Sequence, residues 1–335
     1  MKAIGYNKSL PIEDPNSLMD IELPTPTATG RDLLVEVKAI AVNPVDYKVR
    51  QREEAQPGAY RVLGWDAAGV VKAVGEQVTS FKPGDEVWYA GDITRAGCNS
   101  EFHLVDERIV GLKPKSLSFE KAAALPLTSL TAWELLFDRL CITASEKSSL
   151  LITGAAGGVG SILVQLARQL TSLTIIGTAS REESKQWILN QGAHYAIDHS
   201  KPMHEQLVHL GIHEVDYVIS LTHTDDHVEE LIKCLKPQSK FALIDDPEYL
   251  NIRLFKLKSI SIHWEMMYTR SMFKTPDMIK QHNILNEIAH LVDKEIIKTT
   301  FNENFGTINA HNLRKAHQLL ESHQSRGKIV LSGFA

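Results

Sequence analysis

The chain has 335 residues, of which 43% are hydrophobic and 23% charged, with a formal net charge of −5. This length favours two domains, and the weak acidity argues against nucleic acid or an anionic membrane as the main partner. The three cysteines are widely separated without a metal-binding spacing, which is typical of a reducing, cytoplasmic location. We expect no signal peptide and no membrane span, since the long uncharged stretch 148–167 contains four glycines.

Residues 1–122 are predicted to form the first domain, and its pattern is mostly β. Short apolar or alternating runs separated by Gly and Pro turns predict strands over 33–40, 69–74, 85–89 and 101–105. Such strands indicate a partly open β-barrel and not a parallel sheet. Helix formers begin near 119, and a helix over 127–136 is predicted to lead into the next segment.

The central feature of the sequence is 149–170, which predicts a buried strand, a glycine turn and an amphipathic helix. In this arrangement a helix N-terminus faces an anionic ligand, and glycines let a phosphate approach the backbone. The glycines follow a G-x-x-G-x-x-G spacing, in place of the commoner G-x-G-x-x-G. The alternative is a glycine loop that only allows a helix to pack on a sheet. The residues predicted to bind the dinucleotide are Gly154, Ala155, Gly157, Gly158, Val159 and Gly160.

The next strand, 173–178, ends about twenty residues after the glycines, where such folds meet the adenosine ribose. An NAD site carries an acidic residue there, but this chain has Ser180 and Arg181, with Lys185 one helical turn later. A hydroxyl and two cations suit a 2′-phosphate, so the sequence favours NADPH over NADH. Glu182 and Glu183 would weaken this prediction if either side chain turned inward.

Strands and helices alternate from 149 to 264 and predict a complete doubly wound parallel sheet, and hence an α/β fold class. The further strands are predicted at 195–198, 216–220, 241–244 and 259–264, with helices at 182–191, 203–210 and 225–235. Ligands of such sheets lie at the carboxyl ends of the strands, so cofactor contacts are also predicted for Ser220, Leu221, Ile244 and Asp245.

We therefore predict a cofactor domain over 123–264, after which 265–335 returns to the first domain. This tail contains predicted helices at 277–292 and 309–322 and ends in an apolar strand at 328–332.

Five motifs carry a resemblance that extends over essentially the full chain. They are AVNPVD at 41–46, LGWDAAG at 63–69, VTSFKPGDEV at 78–87, the glycine turn at 154–160 and GKIVL at 327–331. Together they resemble the medium-chain dehydrogenase/reductase superfamily, and within it the zinc-free, zeta-crystallin-like quinone oxidoreductase branch, whose members are often labelled zinc-type. The resemblance implies a GroES-like catalytic domain, a Rossmann cofactor domain, a cleft between them and hydride transfer from a nicotinamide.

The chain departs from the zinc alcohol dehydrogenases where their metal ligands lie. Those enzymes have a Cys at the position of Asn43 and a His at the position of Trp65. Neither Asn nor Trp is a suitable zinc ligand. The third ligand is expected near 126–128, which contains no Cys. The lobe that holds the structural zinc is reduced to 91–100, where Cys98 is the only cysteine. The sequence therefore predicts that both metal sites are absent.

Without a Lewis acid, nothing stabilises the alkoxide that alcohol oxidation requires. Quinones and α,β-unsaturated carbonyl compounds accept hydride at carbon, and ordinary hydrogen-bond donors can hold the resulting oxyanion. The prediction is an NADPH-dependent, metal-independent reductase of quinones or enones. Two alternatives stay open: a zinc alcohol dehydrogenase with unrecognised ligands, and a non-catalytic NADPH-binding protein with a structural or sensory role.

The resemblance also assigns individual residues. It implies that Asn43, Asp46 and Thr128 lie near the nicotinamide and that Trp65 fills the vacated metal pocket as an apolar wall. Tyr47 is a candidate proton donor, although related reductases place a Tyr one position later, where this chain has Lys48.

Each of these residues has a simpler alternative role. An Asn-Pro turn explains Asn43, a helix N-cap explains Thr128, and packing explains Tyr47 and Trp65.

The resemblance carries two further predictions. His199 matches a position near the 2′-phosphate, with an ordinary surface histidine as the alternative. The last sheet strand, 259–264, is expected to pair across a two-fold axis, which predicts a homodimer. The aromatic and Met-rich run 264–268 that follows is a candidate for the substrate pocket, a subunit contact or ordinary core.

Overall fold

A computed structural model describes residues 1–334, which divide into two compact units. Unit 1 comprises Met1–Leu130 and Tyr268–Ala335, and unit 2 comprises Thr131–Met267. The sequence predicted domain boundaries after 122 and after 264, which is a few residues before the boundaries between these two units. The first differs because the backbone N–H of Leu127 donates to Asp66 Oδ1 at 3.0 Å, which fastens the start of the linking helix to unit 1.

The strands and helices are numbered separately in chain order. The strands are β1 (Lys2–Tyr6), β2 (Met19–Glu22), β3 (Asp32–Ala41), β4 (Arg61–Val62), β5 (Asp66–Val74), β6 (Glu86–Tyr89), β7 (Phe102–Asp106), β8 (Val110–Leu112), β9 (Ser149–Thr153), β10 (Thr174–Thr178), β11 (Tyr195–Ile197), β12 (Val215–Ser220), β13 (Leu235–Leu243), β14 (Ser261–Trp264), β15 (Phe301–Asn304) and β16 (Lys328–Ser332). The helices are α1 (Pro44–Arg52), α2 (Phe119–Ala123), α3 (Pro126–Trp133), α4 (Gly158–Leu170), α5 (Glu182–Gln191), α6 (Met203–His209), α7 (Thr224–Cys234), α8 (Arg253–Lys256), α9 (Thr269–Met272), α10 (Lys280–Asp293) and α11 (Ala310–Glu321).

Unit 1 contains the predicted GroES-like β domain. Its larger sheet has the order β15-β16-β3-β5-β6-β8, with β7 also paired to β3, and a smaller sheet has the order β2-β1-β4. Neighbouring strands are antiparallel apart from β15 and β16. Strand β3 shifts register against β5 at two places, and such irregularities bend a strand so that it can serve several partners.

Unit 2 is built on the predicted doubly wound sheet, which is confirmed. Its six strands are parallel in the order β11-β10-β9-β12-β13-β14, with β9 at the centre and buried along its whole length. The buried hydrophobic cluster that includes Leu151, Val218 and Phe241 forms the core of this unit. Central strands that are covered on both faces need such continuous apolar runs.

Several element bounds differ from the sequence prediction. The last strand of the sheet begins at Ser261 and not at 259, because Ser259 has a left-handed φ of 52° that a strand cannot accommodate. The predicted helix 127–136 is α3 followed by a π-helical turn over Glu134–Arg139. Within residues 1–334 we find no helix that is both long and apolar enough to cross a bilayer.

Candidate active site

A buried polar network in unit 1 joins Asn43, Asp66 and Lys328. Strand β3 pairs with β5 and β16 so that Ala41 lies opposite both Asp66 and Val330, and this register brings the three side chains together. Lys328 Nζ donates to Asp66 Oδ2 at 2.9 Å, to the carbonyl of Val42 at 3.0 Å and to Asn43 Oδ1.

The network fixes the orientation of the Asn43 amide. Its Nδ2 donates to Asp66 Oδ2 at 3.1 Å while its Oδ1 accepts from Lys328. All three side chains are buried, and the ion pair between Lys328 and Asp66 keeps their opposite charges in contact. Asp66 and Lys328 were not predicted as site residues, although both lie inside motifs that carried the resemblance.

Asp46 lies in the first turn of α1 and is fully buried. Its Oδ2 accepts a hydrogen bond from the backbone N–H of Asn43 at 2.8 Å, whereas its Oδ1 has no hydrogen-bond partner. Burial raises the pKa of Asp46 to about 7, against the opposing effects of the Asn43 N–H and the Lys328 charge. The carboxyl group can therefore carry or release a proton near neutral pH.

Trp65 and Tyr268 lie beside each other in unit 1. Their rings meet edge to face, with centroids 6.4 Å apart and planes at 73°. Trp65 is completely buried and Tyr268 is 4% exposed. Among residues 1–334, neither the indole N–H nor the phenol hydroxyl has a hydrogen-bond partner. Tyr268 was not a predicted site residue, although the unusual run 264–268 drew attention to this segment.

The two other predicted catalytic residues are also buried. Tyr47 lies in α1, and its predicted role as a proton donor stays a prediction. Thr128 lies inside α3, and its Oγ1 donates to the carbonyl of Leu125 at 3.1 Å. It is therefore not the N-cap that the simpler alternative predicted.

In unit 2 the glycine turn, which was predicted to bind the cofactor, leads into helix α4. Gly154 has a left-handed φ of 66°, and helix α4 begins at Gly158 with Gly157 as its N-cap. A Cβ on Gly160 would approach the Cα of Ala155 to 2.5 Å, so a side chain there cannot fit. The first turn of α4 thus follows a turn of small residues, and backbone N–H groups at such a helix N-terminus suit a pyrophosphate.

The residues predicted to contact a 2′-phosphate come together at the carboxyl end of β10. Thr178 pairs with Ile197 of β11, so Ser180 and Arg181 follow β10 beside Asp198 and His199, which follow β11. Two buried polar atoms there, Thr178 Oγ1 and His199 Nδ1, have no hydrogen-bond partner.

Both acidic and basic side chains lie near the carboxyl ends of β10 and β11. Hydrogen bonds from Ser200 lower the pKa of Asp198, and the nearby charges of Lys185 and Lys201 add to this effect. Lys185 is therefore near Asp198, and its contact with a 2′-phosphate stays a prediction. Burial lowers the pKa of His199, whose ring packs 5.6 Å from that of His227. Sequence reasoning missed Asp198 and His227, whose proximity depends on the pairing of the strands.

The residues at the end of β12 and β13 make internal contacts. The hydroxyl of Ser220 is hydrogen-bonded to those of Thr153 and Thr224. Asp245 accepts from the backbone N–H of Thr224 at 2.9 Å and from its hydroxyl at 2.6 Å, which fixes the start of α7.

Leu221 and Ile244 were also predicted to contact the cofactor, and they lie at the same carboxyl ends of the strands. A Cβ on Gly154 would lie 3.4 Å from the Cβ of Leu221, so that residue borders the glycine turn. Ile244 is half-buried and donates its N–H to the carbonyl of Ser220 at 3.3 Å. Cofactor contacts by Ser220, Leu221, Ile244 and Asp245 stay predictions.

Two family models match the chain: an alcohol dehydrogenase GroES-like domain over residues 29–122 and a zinc-binding dehydrogenase domain over residues 191–331. The zinc-type alcohol dehydrogenase-like protein of Staphylococcus aureus strain MSSA476 is 40% identical over 337 residues, covering 99% of this chain and all of the relative. The chain belongs to the medium-chain dehydrogenase/reductase superfamily. The predicted superfamily is thus confirmed, and this member is an oxidoreductase of a family that uses nicotinamide coenzymes.

Other members resemble this chain to different extents. A crystal structure from Rhizobium etli CFN 42, described as a zinc-dependent alcohol dehydrogenase protein, is 55% identical with a TM-score of 0.97, covering 100% of this chain and 98% of its own. The 2-methylene-furan-3-one reductase of Solanum lycopersicum is 37% identical over 56% of this chain and 50% of its own length. The quinone oxidoreductase of Sus scrofa is 34% identical over 60% of each chain.

The residues of this superfamily member do not fit the zinc that these names imply. At the two positions where zinc alcohol dehydrogenases have Cys and His, Asn43 is held by Lys328 and Asp66, and Trp65 offers only an indole N–H donor. The Lys328 ammonium would also repel a cation. In the part of the chain that the structure describes, residues 1–334, His, Cys, Asp and Glu form no group of three that could hold a metal.

Proposed function

We propose that this protein reduces quinones or α,β-unsaturated carbonyl compounds with NADPH and without a metal. The observation that carries the proposal is the Asn43–Asp66–Lys328 network, because Asn43 stands where zinc alcohol dehydrogenases have a Cys and an ammonium group holds its amide. The names of the tomato and pig relatives, an unsaturated-ketone reductase and a quinone reductase, support it.

When bound, NADPH supplies a hydride, and the chain's own residues supply the rest. For an enone, the hydride adds to the β-carbon, the double-bond electrons move toward the carbonyl oxygen, and one proton completes the saturated ketone. Asp46 is suited to hold that proton at Oδ1, since its pKa is raised to about 7 and that oxygen has no internal partner. The glycine turn and the first turn of α4 would hold the pyrophosphate, and Ser180, Arg181 and Lys185 the 2′-phosphate.

If the protein prefers NADPH because Arg181 contacts the 2′-phosphate, Arg181→Asp should shift the preference toward NADH. The change removes a cation from the end of β10 and adds an anion, which repels a 2′-phosphate and can accept from a ribose hydroxyl. The ratio of the NADH to the NADPH dissociation constant should fall by about 100-fold. Fluorescence titration of both coenzymes measures this ratio.

Arg168→Asp is the matched control for that prediction. It makes the same charge change at an exposed position in the last turn of α4, which lies near the amino end of β10. The ratio of the two dissociation constants should not change. If Arg181→Asp also leaves the ratio unchanged, the phosphate contact has been misplaced.

The proposed reaction itself is tested with a panel of acceptors. NADPH absorbance should fall with quinones and enones, whereas simple alcohols with NADP⁺ should give no turnover. The reverse pattern would favour the zinc alcohol dehydrogenase alternative.

A further inference from the structure

Several buried polar atoms of unit 1 have no hydrogen-bond partner among the residues that the structure describes, and two of them are donors on side chains in contact. They are the indole N–H of Trp65 and the phenol hydroxyl of Tyr268, whose rings pack edge to face at 6.4 Å. An unpaired buried donor costs stability, and native proteins keep few of them. Phenylalanine would fill the position of Tyr268 without this penalty, so packing alone does not explain why a hydroxyl stands there.

The surroundings of these donors are those of the candidate active site. Burial raises the pKa of Tyr268, and the nearby Asp46 and Asp66 add to this effect, so its hydroxyl stays protonated. Trp65 directly precedes Asp66 in the chain. Asp46 Oδ1 is also without a partner, so none of the three unpaired atoms satisfies another.

The charges of this cluster restrict what the donors can bind. Lys328 is paired with Asp66, and the Asp46 carboxyl has no cation at hydrogen-bond distance. The cluster therefore offers no unpaired cation to a ligand that carries a full negative charge. An uncharged carbonyl oxygen can accept two hydrogen bonds at once and brings no charge of its own.

We propose that Trp65 Nε1 and Tyr268 Oη bind the carbonyl oxygen of an uncharged enone or quinone and stabilise the negative charge that develops on it. This inference rests on the proposed function and adds two residues and a substrate class to it. As hydride adds at the β-carbon, the carbon–carbon π electrons move to the oxygen, and both donors strengthen their hydrogen bonds without losing their protons. They would do for the oxygen what a metal ion does in the zinc enzymes.

Tyr268→Phe tests this assignment with NADPH and cyclohexenone. Loss of one such donor should lower kcat by about 100-fold, and Trp65→Phe should have a similar effect. The dissociation constant of NADPH should not change. The midpoint of urea unfolding of Tyr268→Phe should not fall, because the hydroxyl has no partner in the folded protein.

Tyr6→Phe is the matched control. It also removes a buried phenol hydroxyl from unit 1, but that hydroxyl donates to the carbonyl of Glu53 at 2.8 Å. This variant should lose stability and keep its kcat, the opposite of Tyr268→Phe.

The outcomes separate this inference from the proposed function. A wild-type protein that reduces no quinone or enone would overturn both. An active wild type with unchanged kcat in Tyr268→Phe and Trp65→Phe would overturn the donor assignment alone. A loss of kcat in Tyr268→Phe accompanied by an equal fall in stability and in NADPH affinity would also overturn it, since that pattern indicates a structural role. An acceptor with a carboxylate beside its double bond should react far more slowly than cyclohexenone, and equal rates would contradict the proposed substrate class.

Discussion

Replacing Lys328 with Met should lower the free energy of unfolding by about 3–5 kcal/mol, the usual cost of removing one partner of a buried ion pair. The variant leaves the Asp66 carboxylate in a site without solvent, with only the N–H groups of Leu127 and Asn43 as donors. It also frees Asn43 Oδ1 and the carbonyl of Val42 from their donor. Urea unfolding at neutral pH measures the difference.

Two further variants test whether charge is the cause of this loss. Adding Asp66→Asn to Lys328→Met removes the stranded charge and should recover most of the lost stability. Lys113→Met removes another buried lysine of unit 1, but its partner Glu86 is half-exposed and water can solvate it. That control should cost only about 1 kcal/mol. Equal losses for Lys328→Met and Lys113→Met would contradict the buried network.

Replacing Asp46 with Asn should stabilise the protein increasingly as the pH rises. The pKa of Asp46 is raised from 3.8 to about 7 in the folded chain, so the native state binds this proton more tightly than the unfolded state. The contribution of the protonated carboxyl is complete below 3.8 and is lost as the pH rises through about 7. Asn resembles the protonated acid and does not titrate. The stability of the variant relative to wild type should therefore rise by up to about 4 kcal/mol across this window.

Urea unfolding of both proteins at several pH values measures this effect. Other shifted groups, such as the buried His103 and His317, whose pKa values are lowered to about 4 and about 3, titrate equally in both proteins and cancel in the difference. A difference that does not change between acidic and neutral pH would show that the pKa of Asp46 is the same in the folded and unfolded chain, so that the carboxyl is ionised at neutral pH. In that case Asp46 could not supply the proton of the proposed reaction.

The sequence predicted the cofactor-binding unit well because its signals are local. Strand β9 and helix α4 are adjacent in the chain, and the apolar run, the glycines and the helical spacing each reflect contacts within about twenty residues. The whole parallel sheet follows from repeats of the same pattern. The strands β1, β2 and β4 were not predicted, and β2 and β4 are only four and two residues long.

The candidate active site was harder to predict because it depends on strand register and packing. Asn43 and Asp46 were found through a motif, but their partners Asp66 and Lys328 come from strands far apart in the chain. Trp65 was expected to be an apolar wall, and the contact of its ring with Tyr268 depends on packing that no local pattern indicates. A lysine at the start of a strand gives no sign that it will be buried against a carboxylate.

The most direct test of metal-free reduction is the activity of the protein after metal removal. The purified chain is dialysed against a strong chelator, its zinc content is measured by elemental analysis, and NADPH oxidation is followed with a quinone and with cyclohexenone. We expect full turnover with zinc far below one ion per chain. Loss of activity with the metal and its return on adding Zn²⁺ would contradict the account.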